Sequence, residues 1–475
     1  MTLHLLIVED DEEFVEELEE TVSGLPGGKE VLVARSRDQA YEMLASGFFD
    51  LVVLDLTIPT VVGALDADAQ HGHAVFHTIR AKAAGTPIFV LTGSSAEDFL
   101  EGLVSLHRGQ VDIWGEGEKA GTVVFLRKSD IERCPEMLRR VALAVEGLSS
   151  VELKGDGLTF GVAEDRLIRM FAKRVKGVRC AASELRSGLS GARVIRLRVT
   201  DERGVVLHDA VAKLSTHAEI RAEGERYDEY VTRLAAAATP RKLMTLRYGA
   251  CRLAGIFFGL AGESAESVFE IASKEPERAE AVVGSVEAAM EKWMGGVPET
   301  RTAIKDIRRR LLDDEGLAQI RERFDLEWAE DFEERDIQAR LGCSHGDLHG
   351  SNILVSDGGA ELVDYGDVGE GPGSLDPVTL ELSLLFHPDK PENDAWPSAE
   401  QARSWGDLET YVEGCPFVEF VRQCRGWAIR AAAGNREVAA SAYSYLARQL
   451  KYDDTDKSLA AALLEGVRRF YDEST

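Results

Sequence analysis

The sequence predicts an α/β chain of at least two domains that opens with a parallel sheet covered by helices on both faces. At 475 residues, the chain exceeds the usual size of one domain. In residues 1–148, short apolar runs such as LHLLIV and DLVVLDL alternate with segments whose apolar residues have helical spacing. Apolar runs without polar alternation are typical of strands buried on both faces, so this block is predicted as a doubly wound α/β domain.

Charge and composition exclude several classes of protein. The formal net charge of −28 argues against general binding to nucleic acid or anionic lipid, because their phosphates would be repelled. The sequence shows no N-terminal apolar segment and no apolar run of roughly 18 residues, so we expect a cytoplasmic protein without a membrane span. Six scattered cysteines without a C-x-x-C pair are expected to be buried thiols rather than disulfides or zinc ligands.

Polar residues follow the predicted strands of the first block at their carboxyl ends, where doubly wound sheets place their chemistry. These residues are Glu9, Asp10 and Asp11 after the first strand, Asp55 at the end of the third, Thr92 after the fourth and Lys128 after the fifth. Carboxylates that converge on one crevice repel each other unless a cation such as Mg²⁺ joins them. A carboxylate in such a site can attack a phosphoryl group, and we predict this role for Asp55. Lys128 and the Thr92 hydroxyl can then contact the phosphate oxygens.

The motifs IVEDD, VVLDLTIP, GHAVFHTIR, VLTG and FLRK occur in this order and resemble those of a response-regulator receiver domain. The resemblance implies a flavodoxin-like fold of five parallel strands over residues 1–148 and a cognate histidine kinase or other phosphodonor as partner. It leaves a homodimer through this domain open. The implied roles are phosphoacceptor for Asp55, Mg²⁺ ligands for Glu9, Asp10 and Asp55, switch pair for Thr92 and Phe125, and phosphate partner for Lys128.

Two features depart from the receiver pattern. The segment RKSD stands where the family usually has Lys-Pro, and TVVGALDADAQH (60–71) looks inserted after the third strand. The insertion either reshapes the face that a partner would use or gates the phosphoacceptor. A degenerate receiver that serves only as a docking module is the alternative interpretation.

The second block follows a predicted linker at residues 149–164, which is short and contains Gly and Ser without clear periodicity. Its first part reads as strand, glycine loop, strand, turn and strand. The Gly-x-x-Gly from Gly188 to Gly191 allows close approach of backbone to a phosphate. Lys213 ends an apolar strand and needs a carboxylate partner to be held over nucleotide phosphates. We predict Glu223 as that partner, with Glu219 as the alternative.

The stretch SHGDLHGSNILVSDGGAELVDYG contains two short apolar runs joined by a predicted hairpin. The hairpin brings Asp347 and Asn352, which precede it, close to Asp364, which follows it. Asn352 and Asp364 can then share Mg²⁺, with the Asp347 carboxylate beside an attacking hydroxyl. We predict that His345 braces the loop by hydrogen bonding, and that His349 either supports the loop or acts as a base.

The spacing H-G-D-x-x-x-x-N followed by D-Y-G resembles the aminoglycoside phosphotransferase and choline-kinase-like superfamily. The resemblance implies a bilobal α+β protein-kinase-like domain over residues 165–475, with a small lobe at about 165–262 and a large lobe at about 263–475. It implies a hinge strand at 255–263, Asp347 as catalytic base and Asp376 as support for the catalytic loop. Further implied roles are ATP binding by Gly188, Ser190, Gly191, Lys213 and Glu223, and Mg²⁺ binding by Asn352 and Asp364.

Together the two blocks predict a response regulator whose output is an ATP-dependent phosphotransferase acting on an unidentified hydroxyl acceptor. Phosphorylation of Asp55 is expected to gate this activity. The acidic surface of the C-terminal stretch suggests a cationic acceptor as a hypothesis. The alternative is a nucleotide-binding pseudokinase adaptor that signals through protein–protein interaction, and nucleotidyl transfer also stays open.

Overall fold

The computed structural model describes residues 1–92, 110–185, 192–260, 265–324, 326–356, 358–393 and 396–474. The chain divides into two compact units. The first contains Met1–Arg221 and Lys242–Leu260, and the second contains Ala222–Arg241 and Ala261–Thr475. The first unit thus contains both the predicted receiver and most of the predicted small lobe.

The first sheet of this unit has five parallel strands in the order β2-β1-β3-β4-β7. Its strands are β1 (Thr2–Val8), β2 (Gly28–Ala34), β3 (Leu51–Asp55), β4 (Ile88–Thr92) and β7 (Val123–Arg127), and a separate pair is formed by β5 (Gln110–Val111) and β6 (Ala120–Gly121). This is the strand order of the flavodoxin-like fold, and the predicted fold class is confirmed.

Helices cover both faces of this sheet because β1 is apolar on both sides. Leu3, Leu5 and Ile7 belong to one core cluster, whereas Leu6 and Val8 belong to the other. Side chains at the helix starts accept backbone N–H groups as N-caps, as Asp11 does from Phe14. The helices are Glu12–Ser23, Arg37–Ser46, Ala69–Lys82 and Cys134–Gly147, with 3₁₀ turns at Lys128–Arg133 and Leu148–Ser150.

A six-stranded sheet forms the rest of the first unit, in the order β12-β13-β11-β10-β9-β8. Its strands are β8 (Glu152–Gly155), β9 (Arg179–Glu184), β10 (Arg193–Thr200), β11 (Val206–Thr216), β12 (Lys242–Leu246) and β13 (Leu253–Gly259), accompanied by helix Val162–Arg174. The boundary between the two units falls within helix His217–Glu229, after Arg221. Strand β8 lies within residues 149–164, the predicted linker, and pairs in parallel with β9. The domain boundaries at 148 and 165 stay predictions.

One hydrophobic core joins the two sheets of the first unit. Buried residues of β1 and of helix Cys134–Gly147 belong to the same cluster as those of helix Val162–Arg174 and of strands β9 to β11. Within this cluster, the rings of Phe171 and Phe257 stack with centroids 4.4 Å apart. Residues 1–148 and the six-stranded sheet therefore bury apolar surface against each other.

The second unit is mainly helical and carries two small sheets. These have the orders β14-β17-β18 and β15-β16-β19. The strands are β14 (Glu266–Ser267), β15 (Glu299–Ala303), β16 (Asp336–Ser344), β17 (Ile353–Ser356), β18 (Gly359–Leu362) and β19 (Gly369–Pro372). Strands β17 and β18 pair antiparallel, which confirms the hairpin predicted after Asn352.

Helices of 4 to 19 residues pack around these strands. They are Val268–Lys274, Pro276–Met294, Ile304–Arg308, Asp314–Arg323, Trp328–Glu333, Leu375–Phe386, Ala399–Arg403, Leu408–Tyr411, Val418–Ala431, Asn435–Gln449 and Lys457–Glu473, with 3₁₀ turns at Val231–Arg233 and Gly350–Asn352. A helix with the length and apolarity needed to cross a membrane does not occur in the part of the chain that the structure describes. All six cysteines are buried and unpaired, as the sequence predicts.

Candidate functional site

The first candidate site is an acidic cluster at the carboxyl edge of the five-stranded sheet. Carboxylate oxygens of Glu9, Asp10 and Asp55 all lie within 4.8 Å of one another. Glu9 and Asp55 are buried, whereas Asp10 is exposed. Two buried carboxylates beside a third that faces solvent form an oxygen-rich donor set with an open side, which suits Mg²⁺. Asp11, the remaining acidic residue of this stretch, serves as an N-cap.

Lys128 lies between the two buried carboxylates. Its Nζ is 2.9 Å from Glu9 Oε2 and 3.0 Å from Asp55 Oδ2. Burial, together with the Asp55 carboxylate, raises the pKa of Glu9 to about 7 against the opposing effect of Lys128. Burial likewise raises the pKa of Asp55 despite Lys128. The cluster thus carries more negative charge than one lysine compensates, which is the condition that favours binding of a divalent cation.

The start of helix Ala69–Lys82 packs directly against the end of β3. Gly72 donates its N–H to the Leu56 carbonyl at 3.1 Å. A Cβ atom at Gly72 would lie 2.3 Å from Leu56 Cα, so only glycine permits this approach. The contact fixes the chain immediately after Asp55.

Of the predicted insertion at 60–71, residues 60–68 form an exposed loop that closes on itself, and residues 69–71 begin helix Ala69–Lys82. Thr60 donates its hydroxyl to Asp66 Oδ2 at 2.6 Å, and Ile58 forms a bridge with Asp68. Leu65 at the tip is fully exposed. The role of this loop as a partner face or a gate stays a prediction.

Thr92 and Phe125, the predicted switch pair, belong to the neighbouring strands β4 and β7. Phe125 is partly buried in β7 and lies opposite Val90 of β4. Thr92 ends β4 in register with Arg127, and its side chain lies outside the described part of the structure. The switch roles of Thr92 and Phe125 stay predictions.

In the six-stranded sheet, Lys213 occupies the centre of β11, opposite Val194 of β10 and Ile256 of β13. Residues 186–191, which include the predicted phosphate loop Gly188, Ser190 and Gly191, lie outside the described residues. The predicted hinge segment 255–263 is described as far as residue 260, and Leu253–Gly259 forms β13.

The two predicted carboxylate partners of Lys213 have different environments. Glu219 accepts hydrogen bonds from Thr216 Oγ1 at 2.9 Å and from Ser215 Oγ, at the start of helix His217–Glu229. The carboxylate of Glu219 is thus used to cap that helix. Glu223, one turn later, is buried. Its pairing with Lys213 stays a prediction.

The second candidate site is the loop that follows β16, and Asp376 holds its backbone. Asp376 Oδ2 accepts the N–H of His345 at 2.7 Å, and Oδ1 accepts that of Gly346 at 3.0 Å. Gly346 has φ +81°, and a Cβ atom there would lie 2.5 Å from the Asp367 carbonyl oxygen. Burial raises the pKa of Asp376. The two donated hydrogen bonds fix the orientation of the peptide that precedes Asp347.

Asn352 and His345 connect this loop to the segment that contains Asp364. Asn352 Nδ2 donates to the Asp347 carbonyl at 2.9 Å, and the Asn352 carbonyl accepts the N–H of Val363 at 3.0 Å. His345 Nε2 lies 3.0 Å from the Val363 carbonyl oxygen. These bonds bring the chain around Asp347 and Asn352 next to Asp364, as the hairpin argument predicts.

Asp364 itself has φ +64°, a left-handed conformation that is uncommon for residues other than glycine. Such strain persists where the surroundings impose it, and it is frequent at functional sites. The Asn352 amide donates through Nδ2, which leaves its Oδ1 available as a metal ligand beside the Asp364 carboxylate. The donor set therefore fits a hard divalent cation.

The predicted base Asp347 is mostly buried and forms an ion pair that the sequence did not suggest. Asp347 Oδ1 lies 2.7 Å from Nη2 of Arg448, in helix Asn435–Gln449, and Oδ2 lies 3.6 Å from His349 Nε2. Burial alone would raise the pKa of Asp347, but Arg448 and His349 outweigh it and hold this pKa below its usual range. Burial lowers the pKa of His349 to about 4, so its imidazole is neutral near pH 7.

Arg448 is the residue of this site that sequence reasoning missed. It stands 101 residues after Asp347 in an alanine-rich helix, without a motif around it. A pattern of spacing along the chain cannot reveal such a contact, because it depends on how one helix packs on the loop.

Two parts of the chain match known families. Residues 5–109 match the response regulator receiver domain, and residues 182–392 match the phosphotransferase enzyme family. No curated protein matches the chain. The chain therefore combines a receiver domain with a phosphotransferase-family domain, as the motifs predicted. These two matches support a response regulator with a kinase-like output.

Parts of the chain are also similar to solved structures. An adenylate cyclase from Rhodopirellula baltica is 20% identical over 31% of this chain and 94% of its own, with a TM-score of 0.22. The receiver domain of a sensor histidine kinase from Pseudomonas aeruginosa PAO1 is 18% identical over 29% of this chain and 97% of its own, with a TM-score of 0.20. Amicoumacin kinase hAmiN is 13% identical over 60% of this chain and 87% of its own, with a TM-score of 0.35.

Proposed function

We propose that this response regulator transfers the γ-phosphoryl group of ATP to a hydroxyl acceptor and that phosphorylation of Asp55 controls the transfer. The observation that carries the proposal is the order of the loop around Asp347. Asp376 holds two of its amides, and Asn352 and His345 join it to the segment of Asp364. The loop thus has a fixed arrangement of the Asp347 and Asp364 carboxylates and the Asn352 side-chain amide. A polar loop without catalytic function has no need for such an arrangement.

In the proposed reaction, Asn352 and Asp364 would hold Mg²⁺, which would neutralise negative charge on the ATP phosphates. Asp347 accepts the proton of the attacking hydroxyl, since its carboxylate is ionised and fixed by the loop. Lys213 binds the phosphates, with Glu223 as its partner and with Gly188, Ser190 and Gly191 at the phosphate loop. His345 and Asp376 position the loop, and the neutral His349 supports it.

Control by the receiver requires that a change at Asp55 reach the output domain. In the proposed receiver reaction, Glu9, Asp10 and Asp55 would hold Mg²⁺. A phosphodonor such as a histidine kinase then phosphorylates Asp55, and Lys128 contacts the new phosphate. Lys128 is the first residue of the 3₁₀ turn that leads into helix Cys134–Gly147. That helix shares its core with helix Val162–Arg174 and with β11, the strand of Lys213. We therefore expect a shift of Lys128 to change the packing of the six-stranded sheet that holds Lys213.

Transfer of the γ-phosphoryl group tests the enzymatic part of the proposal. Full-length protein is incubated with ATP labelled at the γ-phosphate and with fractions of small molecules and lysate proteins. Wild type is expected to label an acceptor, and Asp347→Asn is expected to abolish labelling while ATP binding survives. If wild type binds ATP but transfers to neither acceptors nor water, the proposal is wrong and the pseudokinase adaptor is favoured.

A further inference from the structure

The ion pair between Arg448 and Asp347 connects two distant parts of the second unit. Both side chains are largely buried, with 18% of the Arg448 side chain and 25% of the Asp347 side chain exposed. Burial lowers the pKa of Arg448, but the Asp347 carboxylate outweighs this effect, so Arg448 stays charged. A guanidinium and a carboxylate in such surroundings interact more strongly than at an open surface.

The ion pair with Asp347 uses only some of the hydrogen-bond donors of the Arg448 guanidinium. Its Nε is buried, and no described residue accepts the hydrogen of this atom. A buried donor without a partner costs about 1–3 kcal/mol. Arg425 of the same unit, by contrast, uses both Nε and Nη2 in its pair with Glu381. The unused donor beside the predicted base points to a further ligand.

The catalytic loop supplies no cation of its own. Residues 345–352 contain neither lysine nor arginine, and His349 is neutral near pH 7. A phosphoryl group that passes this loop carries negative charge on its oxygens, and enzymes stabilise that charge with arginine, lysine or metal ions. Arg448, which reaches the loop from helix Asn435–Gln449, is positioned to provide this charge.

We propose that Arg448 is a catalytic residue whose guanidinium contacts the phosphoryl group during its transfer beside Asp347. The inference rests on the proposed function. As the bond between the γ-phosphorus and the bridging oxygen of ATP breaks, a bond to the acceptor oxygen forms, and the acceptor proton moves to Asp347. Protonation removes the negative charge of Asp347. The positive charge of Arg448 is then available to stabilise the negative charge on the phosphoryl oxygens. ADP and the phosphorylated acceptor are the products.

In the opposite role, Arg448 inhibits the reaction, because it stays paired with the Asp347 carboxylate until the acceptor displaces it. In that case removal of the guanidinium would increase the rate of transfer. The two roles therefore predict opposite signs for the same substitution.

The test uses full-length protein with water as the acceptor, so that no substrate need be known. ATP hydrolysis and ATP binding are measured for wild type, Arg448→Ala, Arg448→Lys and Asp347→Asn. We expect Arg448→Ala to lower kcat by about 100-fold while ATP affinity stays within about twofold of wild type, and Arg448→Lys to retain part of the rate. Added guanidinium ion is expected to restore part of the rate in Arg448→Ala and none in Asp347→Asn.

Arg436→Ala is the matched control, because Arg436 is exposed in the same helix and is expected to be insensitive to substitution and to guanidinium. An unchanged or higher rate in Arg448→Ala, or a loss that guanidinium does not restore, overturns the inference while the proposed function stands. If Arg448→Ala does not fold, a wild-type rate in Arg448→Lys overturns the inference and a reduced rate with unchanged ATP affinity supports it. Wild type that binds ATP without hydrolysis or transfer overturns the proposed function, and this inference with it.

Discussion

Asp50 and Arg166 form a buried, two-pronged ion pair across 116 residues of sequence. Arg166 Nε lies 2.8 Å from Asp50 Oδ1, and Nη2 lies 3.1 Å from Oδ2. The same Nη2 donates to the Thr2 carbonyl at 2.7 Å, and Asp50 also accepts the N–H of His4 at 2.9 Å. The pair ties the end of the receiver's sheet to helix Val162–Arg174, whose apolar side packs in the core shared with the six-stranded sheet.

We expect Asp50→Asn to lower the free energy of unfolding by about 3–5 kcal/mol, because it leaves the buried Arg166 guanidinium without a counter-charge. Urea denaturation of the full chain measures this change. Glu136→Gln is the control, since Glu136 forms an exposed pair with Arg140 and its loss should change the same quantity by less than about 0.5 kcal/mol. Equal effects of the two substitutions would show that the Asp50–Arg166 pair does not hold the unit together.

The shared core also predicts how fragments of the chain behave. Residues 149–475 expressed alone are expected to aggregate, because the apolar faces of helix Val162–Arg174 lose the receiver residues that bury them. Coexpression with residues 1–148 is expected to give a soluble complex that elutes as one species in gel filtration. A monomeric 149–475 fragment with the thermal stability of the full chain would contradict the shared core.

The acidic cluster predicts a pH dependence of stability in the absence of Mg²⁺. The pKa of Glu9 is about 7 in the folded chain, against an ordinary value of 4.5. Between these values folded Glu9 retains a proton that the unfolded chain has lost, so the free energy of unfolding falls as the pH rises through this window. Glu9→Gln lacks this titration. Denaturation in a chelator from pH 4.5 to pH 8 is expected to show wild type losing stability relative to Glu9→Gln as pH rises.

Mg²⁺ should oppose that loss, because it binds the ionised carboxylates. Parallel pH profiles of wild type and Glu9→Gln, or a profile that Mg²⁺ leaves unchanged, would contradict the interpretation of this cluster as a cation site.

Asp376→Asn tests the support of the catalytic loop. The amide keeps one acceptor oxygen, so one of the two backbone N–H groups, of His345 or Gly346, loses its partner at a cost of about 1–3 kcal/mol. Hydrogen exchange at these amides is expected to accelerate, and phosphoryl transfer to slow, while ATP affinity changes little. Asp336→Asn, at the exposed start of β16, is the control. Unchanged exchange at both amides would show that Asp376 does not order the loop.

The fold of the receiver could be predicted because β3 and β4 are uninterrupted apolar runs, and such runs fit only a sheet covered on both faces. The proximity of Asp347 and Asn352 to Asp364 could likewise be predicted from the hairpin between them. A tight antiparallel pair of strands holds the residues at its two ends close together.

Other features depend on packing between distant segments, and local patterns do not encode them. Residues 152–155 look like linker because they lack periodicity, yet they add a parallel strand to the six-stranded sheet. The glutamates of helix His217–Glu229 are alike in sequence, and only the structure shows Glu219 capping the helix while Glu223 is buried. Arg448 reaches Asp347 through the packing of a C-terminal helix.

Control of the phosphotransferase by the receiver is tested by the rate of γ-phosphoryl transfer with Asp55 in two states. Wild type and Asp55→Asn are assayed with ATP and Mg²⁺, with and without an acyl-phosphate mimic that binds Asp55. We expect the mimic to change the transfer rate of wild type several-fold and to leave the rate of Asp55→Asn unchanged. An active wild type whose rate is the same with and without the mimic would contradict this expectation.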